Sequence, residues 1–338
     1  MTDSAAPSLC LVTPVFNDWP ALQLLLIDLE RELGPSAVRL DVIAVNDGSA
    51  IADAEPLRPQ PGWTHIGQIT VIDLRANVGH QLAIATGLHY VQRHRKFDAV
   101  LIMDADGEDQ AADAVRLIET WRTSGNTVVV AERAKRSEST MFKIFYHIYR
   151  GIFRLLTGRA ISFGNFSVIP ALLLPEVLSR PEIIHHIAAT LLRTRLPLIR
   201  VPTIRGRRYG GASQMNMPAM VLLAVNALSV FSDVLFSRIL IATAFICVAC
   251  GLGSIFVTFL RLFTTLALPN WATTVVSFLT LLAAQAVVLI LCTGFLLLTN
   301  RTSLLLTSLE AMRIVKDVRS YGGTANAAER APPDSVLS

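Results

Sequence analysis

The chain is short of charge. Of its 338 residues, 17% are Asp, Glu, Lys or Arg and 52% are hydrophobic, too apolar for an ordinary soluble protein of this length. The charge is missing in two blocks, Ile239 to Leu260 and Leu262 to Asn300. A helix crossing a bilayer needs about 20 apolar residues. Two transmembrane helices are therefore expected, at about 239–260 and 274–298, with Pro269, Asn270 and Trp271 as turn and interface anchor. The alternative is a very apolar soluble core, and runs of this length argue against it. No basic stretch precedes an apolar one in the opening MTDSAAPSLCLVTPVF, so no signal peptide is expected. No basic block interleaved with aromatics is present, so no nucleic-acid partner is expected. Cysteines number four. Cys247 and Cys250 have redox spacing, but within an apolar span they read as small packing residues.

Basic residues bracket the apolar blocks. Arg200, Arg205, Arg207, Arg208 and Arg238 precede the first, Arg301, Arg313, Lys316 and Arg319 follow the second, and Arg261 stands alone between them. The bias puts both termini and the N-terminal half on the cytoplasmic side of the cytoplasmic membrane. That half alternates apolar strands (9–15, 39–49, 69–74, 98–106 and 127–133) with helical patterns (18–33, 80–94 and 111–125). Such alternation implies an α/β fold, a mostly parallel sheet with helices on both faces. The expected division is a catalytic domain over 1–213, a membrane region over 214–318 and a disordered tail over 319–338. Residues 141–158 carry Phe142, Phe145, Tyr149 and Phe153 at helical spacing beside Lys143, Arg150 and Arg154. They read as a basic interfacial helix, or else as a core-packed helix with a wet basic face. Residues 217–236 and 301–315 read as further interfacial helices. His185 and His186 read as ordinary residues of one helix over 182–193.

Polar clusters fall where the strands end: Asn17-Asp18, Asn46-Asp47-Gly48-Ser49, Arg75-Ala76-Asn77 and Asp104-Ala105-Asp106. In parallel sheets ligands bind at that rim. Asn, Asp, Gly and Ser also simply form turns, but four clusters on one rim ask for more. The fourth adds Glu108 and Asp109, and crowded carboxylates repel unless a positive charge is near. Asp104 and Asp106 offer hard oxygens to Mg²⁺ or Mn²⁺ bridging a diphosphate, with Glu108 as a further ligand. Asp109 is a candidate N-cap for the next helix. Arg133, Lys135 and Arg136, then RGRRYGGASQMN (205–216) with Arg208 and Ser213, offer donors to phosphates. For the second segment, charge flanking a membrane helix is the alternative.

Taken in order, TPVFND, VNDGS, LRANVGHQLAIATGL, MDADGEDQ, AERAKR and RYGGASQMN ahead of two apolar spans resemble the family 2 glycosyltransferases of GT-A fold. Within them the chain is similar to the polyprenyl-phosphate branch, which includes dolichol-phosphate mannose synthases and bacterial undecaprenyl-phosphate glycosyltransferases. The resemblance implies inverting, metal-dependent transfer of a sugar from a nucleotide-sugar, UDP favoured over GDP, to a membrane polyprenyl phosphate. It implies that Pro14, Phe16, Asn17, Asp47, Gln81 and Asp104 line the nucleotide pocket. Asp106, Arg133, Arg208 and Ser213 then act at the phosphates and the reacting centre. A homo-oligomer is compatible with it. Two departures stand out. Gln214 replaces a Lys of relatives, and FGNFSVIP (163–170) replaces an F-R-L-x-D-R-like segment, leaving Asn165 and Ser167 as candidates for its role. A polysaccharide synthase or sphingolipid glucosyltransferase would carry Q-x-x-R-W, but the tryptophans are Trp19, Trp63, Trp121 and Trp271. A catalytically silent scaffold on the same fold is the other alternative.

Overall fold

The computed structural model describes residues 6–34, 36–50, 57, 59–133, 150–210, 217–263, 270–310 and 312–322. In its N-terminal part β1 (Ser8–Val15), α1 (Trp19–Leu33), β2 (Arg39–Asn46), β3 (Ile66–Leu74), α2 (His80–His94), β4 (Ala99–Ile102), α3 (Ala111–Ser124) and β5 (Val128–Arg133) follow the expected alternation. Leu9 to Val12 and Ala99 to Ile102 are wholly buried, as befits central parallel strands covered on both faces. One face packs α1 and α3 through Leu22, Leu25, Leu29 and Leu117. The other packs α2 through Ala83, Ile84 and Leu88.

Three strands were not expected from periodicity. The sheet runs β7-β5-β6-β4-β1-β2-β3-β8. β6 (Phe163–Pro170) lies antiparallel between β4 and β5, and β7 (Leu198–Thr203) lies parallel to β5 at the edge. β8 (Val315–Tyr321) closes the opposite edge, antiparallel to β3. The sheet is thus mixed, with parallel pairing through its centre. β8 also corrects the expected division of the chain, in which 318 ended the membrane region. Residues 315–321 instead join the catalytic sheet, where Arg319 pairs with Asp73 at 2.8 Å. Asp73 in turn accepts the Asn46 amide at 2.6 Å. The rest of the tail, from 323, lies outside the described residues.

Of the expected 141–158 helix only 150–158 is described, and 150–157 of it is helical, as α4. It buries Phe153 edge-on to Phe231 with ring centroids 5.7 Å apart, and leaves Ile152 and Leu155 exposed. α5 (Leu174–Leu178) and a 3₁₀ turn (Pro181–Ile184) precede α6 (Ile187–Thr194). The expected helix over 182–193 therefore breaks at the two histidines. His186 is the N-cap of α6, its Nδ1 accepting the Ala189 N–H at 3.3 Å.

The expected 217–236 helix breaks at 230–231, dividing α7 (Met217–Ser229) from α8 (Ser232–Phe263). α9 (Trp271–Glu310) runs unbroken through the second span and most of the expected 301–315 helix. Ser232–Phe263 and Trp271–Phe295 are each long and apolar enough to cross a membrane. Of their most apolar windows only 11% and 6% is buried, unlike a soluble core helix. The hairpin is rooted in the catalytic domain. Arg193 of α6 forks onto both oxygens of Asp233 at 3.1 Å, and Arg238 donates to the Leu155 carbonyl.

Replacing Arg319 by Ala should leave Asp73 with a single side-chain partner among the described residues and loosen β8. The expected cost is about 1–2 kcal/mol, after allowance for solvent at the arginine. Thermal unfolding in detergent measures it, and an unchanged midpoint would show that β8 does not depend on this pair.

Candidate active site

Past Ile102 the chain turns through Asp104, Ala105, Asp106, Gly107, Glu108 and Asp109 at the carboxyl end of β4. The turn is tied from within. Asp109 is 4% exposed, and its Oδ2 accepts the Asp104 N–H at 3.1 Å. Asp106 Oδ1 accepts the Glu108 N–H at 2.9 Å. Asp109 is thus a turn residue and not the expected cap: Gln110 stands at the α3 N-cap position without a side-chain cap bond.

Part of the positive charge these carboxylates require comes from the chain itself. After β7, residues 204–209 cross the turn as a strap. Gly206 N–H donates to the Glu108 carbonyl at 2.8 Å and Tyr209 N–H to the Asp106 carbonyl at 3.0 Å. Arg205 reaches Glu108 Oε2 at 2.5 Å, and Arg208 reaches Asp106 Oδ2 at 2.7 Å. The Tyr209 hydroxyl donates to Asp28 of α1 at 2.6 Å. Burial, then Asp28, holds this phenol well above its ordinary pKa. The strap lies flush because both chains have glycine where they meet. Gly107 has φ +86°, and a Cβ there would stand 2.7 Å from the Tyr209 ring. A Cβ on Gly206 would stand 2.3 Å from the Gly107 carbonyl oxygen.

Other expected residues sit on the same rim, several in supporting roles. Phe16 is 43% exposed, and Pro14 is half-buried within β1. Asn17, at φ 54°, takes the Ala50 N–H on its Oδ1 at 2.9 Å, and its own N–H donates to Ser49 Oγ at 2.9 Å. It ties the β1 end to the β2 turn. Asp47 is 3% exposed and accepts the N–H groups of Val78 and Gly79 at 2.7 and 3.0 Å. Burial raises its pKa, and those two donors oppose the rise. Asp47 therefore shapes the loop before α2. Gln81 is 7% exposed and bonds beneath the rim to Asn165 Oδ1 and to the Ile187 N–H. Arg133 ends β5 at this rim, opposite Thr203 of β7. Ser213, Gln214, Lys135 and Arg136 lie outside the described residues.

Sequence reading missed Tyr209 and also Arg205 as the partner of Glu108. The glycine doublet after Tyr209 drew attention away from the tyrosine, whose partner Asp28 lies far off in sequence. Among the described residues no three His, Cys, Asp or Glu side chains gather as a metal cluster. Asp104 and Asp106 still offer two hard carboxylates on one turn, which fits a Mg²⁺ or Mn²⁺ whose other ligands are water and substrate phosphate. Glu108, expected as a further ligand, is turned to Arg205.

Two variants probe the site's construction. Gly107→Ala combines a positive φ with a clash against Tyr209 and should cost about 1–3 kcal/mol. Gly125→Ala shares the positive φ but meets nothing within 4 Å, so it isolates the backbone cost. Equal loss of thermal stability in the two would show that the strap does not press on the turn. His186, 7% exposed, has its pKa pushed down to about 4 by burial, with His80 second. The unfolded chain therefore binds the extra proton first as pH falls below about 6.5, and the contribution to stability shrinks by about 2 kcal/mol at pH 5. His186→Asn keeps a capping oxygen without the titration. Its melting midpoint should fall less steeply than the wild type between pH 6.5 and 4, and parallel curves would exclude this role.

A family model for Glycosyl transferase family 2 matches residues 10–172. The chain is 26% identical over 289 residues to the uncharacterized glycosyltransferase YkcC of Bacillus subtilis (strain 168), covering 83% of this chain and 85% of that one. It is 26% identical over 244 residues to the undecaprenyl-phosphate 4-deoxy-4-formamido-L-arabinose transferase of Edwardsiella ictaluri, covering 66% and 71%. Among solved structures, glucosyl-3-phosphoglycerate synthase from Mycobacterium tuberculosis superposes with a TM-score of 0.47 at 15% identity, covering 68% of this chain and 79% of that one. The family match takes in β1 through β6 and the whole acidic turn, and over that stretch, just under half of the chain, the protein is similar to the family 2 glycosyl transferases.

Proposed function

We propose that this glycosyltransferase moves a sugar from a nucleotide-sugar to a polyprenyl phosphate held in the membrane, with inversion, to give a polyprenyl-phosphate sugar. One observation carries the reading. The acidic turn and its two arginines stand on a rim whose own domain roots a hairpin of two helices able to cross a membrane. A soluble acceptor would not call for that arrangement. The likeness to a transferase named for undecaprenyl phosphate supports the acceptor class.

In this reading Pro14 and Phe16 line the nucleotide pocket, on a rim that Asn17 and Asp47 shape. Asp104 and Asp106 hold a Mg²⁺ or Mn²⁺, which when bound neutralises charge on the diphosphate as it leaves. Arg208 already lies against Asp106 and can turn its guanidinium to a phosphate oxygen. Arg133 and Ser213 complete the set of phosphate donors. The acceptor monoester is largely ionised near neutral pH, its second pKa being about 6. The residues therefore orient an anion and need not deprotonate it. A UDP donor is preferred to GDP. Both termini and the catalytic domain face the cytoplasm, on the cytoplasmic membrane.

The test is mass spectrometry of lipid products. Purified protein is incubated with undecaprenyl phosphate, Mg²⁺ or Mn²⁺, and a panel of UDP- and GDP-sugars. One glycosylated lipid monophosphate is expected, abolished by EDTA and reduced on the order of 100-fold by Asp106→Asn. Absence of product with every donor, from folded protein that binds the lipid, would overturn the polyprenyl-phosphate reading.

A further inference from the structure

Away from the acidic turn, the rim is held by a polar row that begins at the β8 edge of the sheet. The register of β2, β3 and β8 sets Asn46, Asp73 and Asp317 abreast on neighbouring strands. Asp73 therefore has a like charge directly opposite it, which is costly unless a cation stands by. Arg319 lies two residues along β8 from Asp317, on the same face, so it meets Asp73 on the diagonal. Its Nε and Nη2 lie 3.0 and 2.8 Å from Asp73 Oδ2, and its Nη1 donates to the Tyr321 hydroxyl at 3.2 Å. The other carboxylate oxygen, Oδ1, accepts the Asn46 amide at 2.6 Å.

From Asn46 the bonds run on to the end of β1. The Ser49 backbone N–H donates to Asn46 Oδ1 at 3.0 Å. A backbone N–H can only donate and a carboxylate can only accept, so the Asn46 amide has one orientation, fixed from both ends. Ser49 Oγ accepts the Asn17 N–H at 2.9 Å, and Asn17 Oδ1 accepts the Ala50 N–H at 2.9 Å. Asn17 sits at φ 54°, a conformation that persists in a non-glycine residue only where its surroundings hold it. Its neighbour Phe16 is the exposed aromatic of this rim. The relay Arg319–Asp73–Asn46–Ser49–Asn17 thus crosses four strands. Its origin follows closely on the membrane hairpin: α9 ends at Glu310, Met312 is buried in the core, and β8 begins at Val315.

We infer that Arg319 and Asp73 are positioning residues for the nucleotide of the donor. Through Asn46 and Ser49, the strand that follows the hairpin sets the turn at which Phe16 and Asn17 meet that nucleotide. The two edges of the sheet then serve one rim, with Arg205 and Arg208 arriving after β7 and Arg319 acting from β8. The inference rests on the transferase reading above and adds a dependence of donor binding on residues 315–321.

Nucleotide affinity separates this role from simple bracing of the sheet. Affinities of the full-length protein in detergent micelles for UDP and GDP are measured by calorimetry in Mn²⁺. For the nucleotide that binds, Arg319→Ala and Ser49→Ala should each weaken binding about fivefold. The two residues stand toward opposite ends of the relay. Independent effects would multiply to about 25-fold, whereas the double variant of one relay should stay near fivefold. Val318 packs against the core from the other face of β8, opposite Ile72. Val318→Ala should therefore lower the melting midpoint yet keep nucleotide affinity within about twofold of the wild type. Multiplied losses in the double variant, a loss from Val318→Ala equal to that from Arg319→Ala, or no loss from Arg319→Ala would overturn the relay and leave the transferase reading standing. Failure of the wild-type protein to bind either nucleotide would overturn both.

Discussion

Carboxylates crowded at the end of one strand impose the constraint on which this site is built. Asp104, Asp106, Glu108 and Asp109 follow a strand that is buried on both faces, where like charges are costly. Part of the answer is local: Asp109 and Asp106 each accept a backbone N–H within the turn. The rest comes from about a hundred residues downstream, where the strap after β7 supplies Arg205 and Arg208. Everything that lets the strap lie there follows from the same need, including the paired glycines, the two main-chain bonds and the Tyr209 anchor on α1. The acidic turn and the strap are thus one electrostatic unit assembled from distant stretches of chain.

What could be read from sequence divides along physical lines. β1 to β5 announced themselves because buried parallel strands are continuous apolar runs between helices of clear period. The acidic turn did so because four carboxylates in six residues are improbable as mere turn chemistry. β6 escaped because FGNFSVIP contains a Gly, an Asn and a Pro, and its pairing partners lie far away in sequence. β8 escaped because VKDVRSY is half-exposed and charged, as an edge strand should be. The residues of the rim were found, but not their duties. Asn17 and Asp47 spend their polar atoms on the protein's own loops. Composition cannot tell a side chain that holds a loop from one that holds a ligand.

The histidine pair shows the same limit at closer range. Side-chain spacing over 182–193 is helical, yet His186 is a cap, and the chain bends there to bring the Ile187 N–H under Gln81. A single backbone donor in that bend fixes which way the amides of Gln81 and Asn165 face. Polarity at the rim is therefore decided one layer below it, by a hydrogen bond that does not itself reach solvent. The membrane hairpin is tied to this layer as well, because Arg193 on the same short helix holds Asp233 at the root of α8.

β8 lies beyond both apolar helices in the chain, yet it pairs with β3, made some 240 residues earlier. A ribosome releases Arg319 only after the entire hairpin has left the tunnel. Until then β3 has a bare edge, open to any extended segment that passes. Among the described residues the last strand to be synthesised is thus the one that seals the first-made half of the sheet, which keeps an unpaired edge until both apolar helices have been made.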